Sequence, residues 1–599
     1  MKQRKPTVAE MFSAAFAVHQ RGQVAEAAAR YEDILRHQPD HADALHLRGL
    51  IAMEQGELEL ARHCVGQALA RQPNHPQLLN TLGETLRRMG DIATAEEHLR
   101  HALRQAPTYV DALNNLGVLL SKSGRSPEGV GLFETILRNR PDDRRAMYNL
   151  GEAHRVSGDV AGAIQCYRQL HETHPSWIEA GSALLLTLCY DHTLQPGELL
   201  FTHRRVAPAL HPAPAVMSPA PLRVPLPGDK LRIGFISGDF RGHAMCFFIE
   251  PLVRGLREMG VDAVAYYNFD RDDAITARLK PLFAAFIHVE QMSDDELDAR
   301  IRADRIDVLV DLSGHTGHNR LGVFTRRPAP VQLNWIGYLA TTGLDCFDAH
   351  LTDAVAVPPE MSCEFSEPLC YLPGCQWCYA PPAERPPADQ RQSDSFVFGG
   401  LHNPAKINRE VLLAWARILR ATAPSRLLLM GDGVDALPAR LAQLAPDGEE
   451  LARRIDCRKA GSLDEFLDAH REIDLMLDSF PYSGGTTTFH ALWMGVPVLT
   501  LAFDHSAGRG GASILSRIGA DDLICTTLDE YVERAVAIAQ GSCAAPLRGG
   551  ALRQRLMDSS LVDESDFAQG FVDTVRALAA SRSSKLASSN LGLASGAVR

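Results

Sequence analysis

Between Ile473 and Leu501 the chain reads Ile473-Asp-Leu-Met-Leu-Asp-Ser-Phe480, Pro481-Tyr-Ser-Gly-Gly-Thr-Thr-Thr488, Phe489-His-Ala-Leu-Trp-Met-Gly495 and Val496-Pro-Val-Leu-Thr-Leu501. The order is buried strand, Gly/Thr loop, helix start and next strand. Gly484 and Gly485 let the backbone approach a ligand closely. The hydroxyls of Thr486, Thr487 and Thr488, with the free N–H groups of a helix start, aim donors at an anion. The chemistry on offer is phosphate binding; the plain alternative is an αβ turn with a threonine cap.

Three other loops carry side chains of matching use. After Ser237 comes Gly-Asp-Phe-Arg-Gly-His243, and after Leu312 comes Ser-Gly-His315-Thr-Gly-His318-Asn-Arg320. After Gly399 come His402, Asn403 and Lys406. One histidine on a loop is ordinarily a structural hydrogen-bonder, and one lysine a solvated surface group. Together beside an anion-binding helix end they offer what a departing diphosphate needs, a cation and a cluster of donors. The chemistry implied is transfer from a nucleoside diphosphate, without a metal if Lys406 and the helix end supply the positive charge. Asp270-Arg-Asp272 has the form of a metal-binding D-x-D but reads as a surface turn remote from the phosphate loop. Cys363, Cys370, Cys375 and Cys378 lie close together, but Pro, Trp and Tyr interleave them in a strand-like segment rather than a zinc knuckle. No metal site is expected.

The elements that must position these loops follow from periodicity. Leu231–Ser237, Ala263–Phe269, Ile306–Leu312, Phe396–Gly399 and Arg426–Met430 read as strands. Phe247–Met259, Asp294–Ala303 and Arg409–Ala421 read as helices between them. Alternation of this kind argues for parallel, doubly wound sheets in two halves, with ligands beyond the carboxyl ends of the strands. The loops after Ser237, Leu312, Gly399 and Phe480 should therefore face one cleft.

Ahead of these halves lies a different architecture. Prolines at 39, 73, 107, 141 and 175, and glycines at 22, 56, 90, 124 and 158, recur every 34 residues. Small residues recur with them at Ala15, Gly49, Gly83, Gly117 and Gly151, and at Ala27, Ala61, Ala95, Gly129 and Ala163. This is the period and pattern of tetratricopeptide repeats, helix pairs stacked into a solenoid whose concave side can hold an extended peptide. Asn115 and Asn149, 34 residues apart, are candidates to clamp a peptide backbone by donating and accepting at once. The division expected is α plus α/β: repeats over 8–190 (five repeats and a closing helix), a proline-rich extended linker over 191–228, Rossmann-like halves over 229–392 and 393–580, and a disordered tail over 581–599.

A net charge of −12 gives no footprint for general nucleic-acid binding. No apolar stretch approaches the ~20 residues of a membrane span, the cysteines are scattered as in reduced thiols, and a cytoplasmic protein is expected.

At these motifs the chain resembles the O-GlcNAc transferases and, more closely, SPINDLY-type proteins. The matching segments include Ser237-Gly-Asp-Phe with His243, Gly314-His-Thr, Arg327-Pro-Ala-Pro-Val-Gln, Trp335-Ile-Gly-Tyr, Leu372-Pro-Gly-Cys-Gln-Trp-Cys-Tyr379, Asn403-Pro-Ala-Lys-Ile and Asp478-Ser-Phe-Pro-Tyr-Ser-Gly-Gly-Thr-Thr-Thr. The resemblance spans roughly Lys230 to Gln540. It implies a GT-B glycosyltransferase that moves a sugar from a nucleotide donor to Ser or Thr of polypeptides, with inversion, without a metal and with no other cofactor. Lys406 would stabilise the leaving diphosphate and His243 would lie beside the sugar and acceptor, as base or orienting group. Asn403, Gly484, Gly485, Thr486, Thr487, Thr488, His490, Arg509 and His315 would contact the donor, and the repeats would present polypeptide.

The chain departs from the pattern where O-GlcNAc transferases have His-Thr-Thr and it has Gly485-Thr486-Thr487. His490 stands in place of a carboxylate, and Tyr338-Leu339-Ala340 in place of Tyr-Pro-Gly. UDP-GlcNAc is the donor expected first and GDP-fucose the rival. A non-catalytic repeat scaffold on a degenerate transferase fold, and transfer to a small metabolite or to asparagine, are the competing functions.

Overall fold

The computed structural model describes residues 6–195, 197–214, 230–382, 395–459 and 461–595. The chain falls into two compact units, 1–157 and 158–599.

The first unit is an array of antiparallel helices from Val8–Gln20 to Arg144–Val156. The 34-residue series explain it locally. Gly22, Gly56, Gly90 and Gly124 hold φ between +76° and +88°, the left-handed turn that a side chain resists. The second helix of each pair stops at His37, Arg71, Gln105 or Asn139, each two positions before a proline. The small-residue series sets the packing: a Cβ on Gly83 would lie 2.7 Å from Leu99 Cγ, and one on Gly117 would lie 2.6 Å from Phe133 Cζ.

The second unit begins with the helices Val160–Thr173, Ile178–Leu188 and Glu198–Leu210. The last of these lies in the stretch expected to be an extended linker. It is helical because Leu199, His203, Val206, Ala207 and Leu210 form one buried stripe, which outweighs Pro208 near its end. The prolines at 219, 221 and 225 lie outside the described residues.

Two parallel sheets follow. The first has strands β1 Arg232–Ser237, β2 Asp262–Tyr267, β3 Ala285–His288, β4 Val308–Asp311, β5 Val331–Trp335, β6 Ala349–Thr352 and β7 Leu369–Tyr371, in the order β3-β2-β1-β4-β5-β6-β7. The second has β8 Val397–Gly400, β9 Arg426–Met430, β10 Ile455–Arg458, β11 Leu475–Leu477, β12 Val498–Leu501 and β13 Ile524–Cys525, in the order β10-β9-β8-β11-β12-β13. Both are doubly wound Rossmann-like sheets, and the order reverses between β1 and β4 and between β8 and β11. The four loops singled out in sequence leave these four strands, so they lie at the switch points where such sheets bind ligands.

One hydrophobic core runs through both halves. Phe248 and Trp377 meet Phe489 across the seam, at centroid distances of 5.7 and 6.4 Å. The final helix, Glu564–Ser595, packs on the first sheet, where Phe567 and Phe571 lie 6.1 and 5.5 Å from Trp335. Its backbone carries helix into the stretch expected to be a disordered tail. The reason lies upstream, where buried Phe567, Phe571, Val572 and Val575 anchor the helix; residues 596–599 are outside the described residues.

Candidate active site

The Gly/Thr loop leaves β11 and is fastened before the helix Thr486–Trp493 begins. Asp478, fully buried, accepts hydrogen bonds at Oδ1 from the N–H groups of Ser479 (2.9 Å) and Gly484 (2.7 Å), and at Oδ2 from the Thr500 hydroxyl (2.7 Å). Ser483 N–H donates to Ala507 O (3.0 Å) and its hydroxyl accepts from Gly510 N–H (2.8 Å). The helix then starts at Gly485 with no side-chain cap. Gly485, Thr486 and Thr487 are partly exposed, so the positive end of the helix faces an open side. Two of the expected donor contacts have partners inside the loop. The N–H of Gly484 is taken by Asp478, and Thr488 is buried with its hydroxyl donating to Gly484 O (3.0 Å).

Lys406 ends a short turn, Pro404–Lys406, that follows β8. Asn403 stands exposed and caps that turn, its Oδ1 accepting from Ala405 N–H (3.0 Å). The Lys406 ammonium donates to Ser483 O (3.1 Å) and sits 4.3 Å from the Tyr482 ring centroid. Burial pushes its pKa from 10.5 down to about 8, and the Asp478 carboxylate opposes that shift. Lysine and helix start thus converge on the same loop.

His402, not among the expected contacts, supports them. Its Nε2 donates to Leu477 O (2.9 Å), which leaves Nδ1 as an acceptor 3.4 Å from the Thr487 hydroxyl. Burial holds it neutral, with a pKa of about 3. The sequence signal was its place in the loop after β8; what was missing was the adjacency of β8 and β11.

His243 lies half-exposed on the loop after β1. Its Nδ1 is 3.3 Å from the Met245 N–H and 3.6 Å from Asp239 Oδ2, an ion-pair distance rather than a hydrogen bond. Burial lowers its pKa while Asp239 works against the shift. Four residues on, Phe247 meets the His490 ring edge-on at 4.7 Å, so this loop and the phosphate-loop helix adjoin.

Three further expected donor contacts have partners within the chain. His490 is buried among Phe247, Tyr379 and Phe466, with Nδ1 2.7 Å from the Tyr379 hydroxyl and its pKa lowered by burial to about 3. His315 is also buried, donating from Nε2 to Thr342 O (2.7 Å) within a cluster of His203, His211 and Tyr338. It is drawn under the Tyr338–Thr342 segment because Gly314, at φ +52°, turns the chain there. Arg509 donates from Nε to Val355 O (3.0 Å) and from Nη1 to Phe503 O (3.5 Å), bridging the two halves.

In the first unit, Asn115 donates to Asn80 Oδ1 (2.9 Å) and accepts from Arg145 (3.0 Å), and Asn149 donates to Asn114 Oδ1 (3.1 Å). These amides tie successive repeats together, so Asn115 is already engaged at both ends of its amide. Asp272 pairs with Lys280 (3.0 Å) and His288 (3.2 Å), as a surface turn does. Among the described residues no group of three or more His, Cys, Asp or Glu is arranged to hold a metal, and no helix is long and apolar enough to cross a membrane.

Two Rossmann-like halves with a phosphate-type loop, a lysine and a histidine at their switch points define a GT-B architecture. The model of Glycosyl transferase family 41 matches residues 210–378 and 389–570, and the chain belongs to that family. Tetratricopeptide-repeat models match residues 40–108 and 114–176. The probable UDP-N-acetylglucosamine–peptide N-acetylglucosaminyltransferase SPINDLY of Petunia hybrida is 33% identical over 362 residues, 59% of this chain and 39% of that protein. SPINDLY of Arabidopsis thaliana is 35% identical over 361 residues, 58% and 39%. The chain thus spans about two fifths of the length of these curated relatives. A solved structure, that of a mutant of the Thermobaculum terrenum O-GlcNAc transferase, is 30% identical with a TM-score of 0.75, over 85% of this chain and 98% of that one.

Proposed function

We propose that this protein is a cytoplasmic protein O-glycosyltransferase, moving GlcNAc from UDP-GlcNAc to Ser or Thr of polypeptides that its repeats bind. The observation that carries the reading is the Lys406 ammonium, held on Ser483 O beside the uncapped start of the helix Thr486–Trp493. A cation and oriented N–H groups on one loop are what stabilise a leaving nucleoside diphosphate. In the step proposed, the acceptor oxygen attacks the sugar C1 from the face opposite the phosphate. The C1–O bond breaks with its electrons going to the diphosphate, and the hydroxyl proton passes to a base, for which His243 is the candidate. Thr486 and Thr487 hold the phosphates. No metal is required, because Lys406 and the helix end supply the positive charge.

The names of the relatives support GlcNAc as the sugar. A thermal-shift screen of UDP-GlcNAc, UDP-glucose and GDP-fucose tests it, since a bound donor stabilises the fold by mass action. Mass spectrometry of acceptor peptides then identifies sugar and side chain. Stabilisation by UDP-GlcNAc with a GlcNAc-sized adduct on Ser or Thr is expected. Stabilisation by GDP-fucose alone overturns the donor, and failure to bind or turn over any of the three overturns the enzyme in favour of a repeat scaffold.

A further inference from the structure

Asp478 is a heavily engaged carboxylate at the foot of the phosphate loop, and the transfer chemistry makes no direct use of it. It is fully buried at the end of β11, and each oxygen has a separate task. Oδ1 gathers the N–H groups of Ser479 and Gly484, fixing both ends of the Ser479–Gly484 turn, while Oδ2 takes the Thr500 hydroxyl from β12. The backbone is pinned as well, since the Tyr531 hydroxyl donates to Asp478 O (2.9 Å). The site is shaped around the carboxylate: a Cβ on Gly511 would come within 2.6 Å of Oδ2. A neutral amide would still accept from the two N–H groups through Oδ1, and only Thr500, whose hydroxyl donates to Oδ2, would have to turn, so the charge has a reason beyond the turn. That reason is Lys406, whose ammonium rests on Ser483 O, the residue immediately before Gly484.

We propose that Asp478 is a positioning residue of the transfer site: its carboxylate holds the phosphate loop through Gly484, next to the Ser483 carbonyl on which the Lys406 ammonium rests, and is the counter-charge to that buried ammonium. The groups that face Lys406 are Asp478, His402 and the Tyr482 ring, with Tyr190 behind that ring at 5.2 Å. His402 is neutral through burial and burial keeps Tyr482 protonated, so Asp478 is the anion among them. Burial raises the Asp478 pKa to about 6, with the Thr500, Gly484 and Lys406 contacts working against the rise, so it is ionised at neutral pH. The inference rests on the reading of Lys406 as the cation that meets the leaving diphosphate.

The test is calorimetric titration of UDP and of GDP into the wild type, Asp478→Asn and Lys406→Met, from neutral into alkaline pH. The asparagine keeps an acceptor for Ser479 and Gly484, and Thr500 can turn its hydroxyl to accept from Nδ2, so the charge is what changes. In the wild type, binding should weaken with an alkaline midpoint as Lys406 loses its proton. In Asp478→Asn that midpoint should move down by about 1 pH unit, the ordinary influence of a nearby opposite charge. In Lys406→Met it should vanish. An unmoved midpoint in Asp478→Asn, with Lys406→Met losing it, overturns the inference about Asp478 alone. A Lys406→Met profile like that of the wild type, or a wild type that binds neither nucleotide, overturns the reading of Lys406 and this inference with it. Asp478→Ser removes the same charge if the asparagine variant fails to fold. Loss of the fold in both, seen by circular dichroism, overturns the inference in favour of a purely structural carboxylate.

Discussion

Raising the pH should inactivate transfer well below the range in which an ordinary lysine titrates. Lys406 is pushed from 10.5 to about 8 by burial, with Asp478 opposing. If the protonated form stabilises the leaving diphosphate, one pH unit above that value leaves about a tenth of the molecules competent, whereas an unperturbed lysine would remain more than about nine-tenths protonated. The rate should therefore fall about tenfold per pH unit through the alkaline limb. Unfolding does not account for the loss. The folded pKa lies below the unfolded one, so between about 8 and 10.5 the unfolded chain binds more protons and stability from this group rises with pH. The assay is the initial rate of sugar transfer to peptide against pH, with circular dichroism alongside, for the wild type and Lys406→Met. The variant should be slower by roughly 100- to 1,000-fold, the usual cost of losing one stabiliser of developing charge, and its residual rate should lack the limb. A limb near pH 10, or one that survives in Lys406→Met, would refute the reasoning.

Two further outcomes follow from the geometry. Thr487→Val should raise KM for the donor about tenfold or more, because a hydroxyl meeting phosphate is a hydrogen bond to a charged group, while Thr488→Val should lower Tm with little change in KM; steady-state kinetics and thermal unfolding separate the two. Acidification should destabilise the fold. His203, His315, His402 and His490 have folded pKa values of about 3, and His211 and His470 of about 4, each through burial and each from 6.5. Below 6.5 the unfolded chain takes up protons that the folded one refuses, so stability is full above that value and falls by about 1.4 kcal/mol per pH unit for each histidine. Asp311 and Asp478, raised to about 6, act in the opposite sense but are fewer. Urea unfolding between neutral and acidic pH checks the balance, and a flat profile would contradict the burial of these rings.

Local order was legible because its causes are local. The 34-residue recurrence of turn glycine, helix-stopping proline and small packing residue depends on φ preference and side-chain volume at single positions, and the helices follow it closely. Arg409–Ala421 and Arg426–Met430 begin and end where their periodicity does. The strands Ala285–His288, Ile455–Arg458 and Ile524–Cys525 carry no such signal; they are two to four residues long and stand at the sheet edges. Helix Glu198–Leu210 was hidden by the prolines around it, since its stripe gains meaning only from the surface it covers.

What the sequence determined by itself was the set of chemically able loops and the kind of element each must follow, because backbone freedom, donors and charge belong to the residues. Strand order, and with it which loops converge, was decided by the tertiary structure. The adjacency of β8 and β11 brings His402 to Thr487 and Lys406 to Ser483, pairs 85 and 77 residues apart. The same packing turned Gly484 N–H and the Thr488 hydroxyl inward, enclosed His490 and His315, and committed Arg509 to carbonyls. Whether a donor faces a ligand or another part of the chain depends on what lies across from it, and that neighbour is fixed only when the sheets and their covering helices have packed.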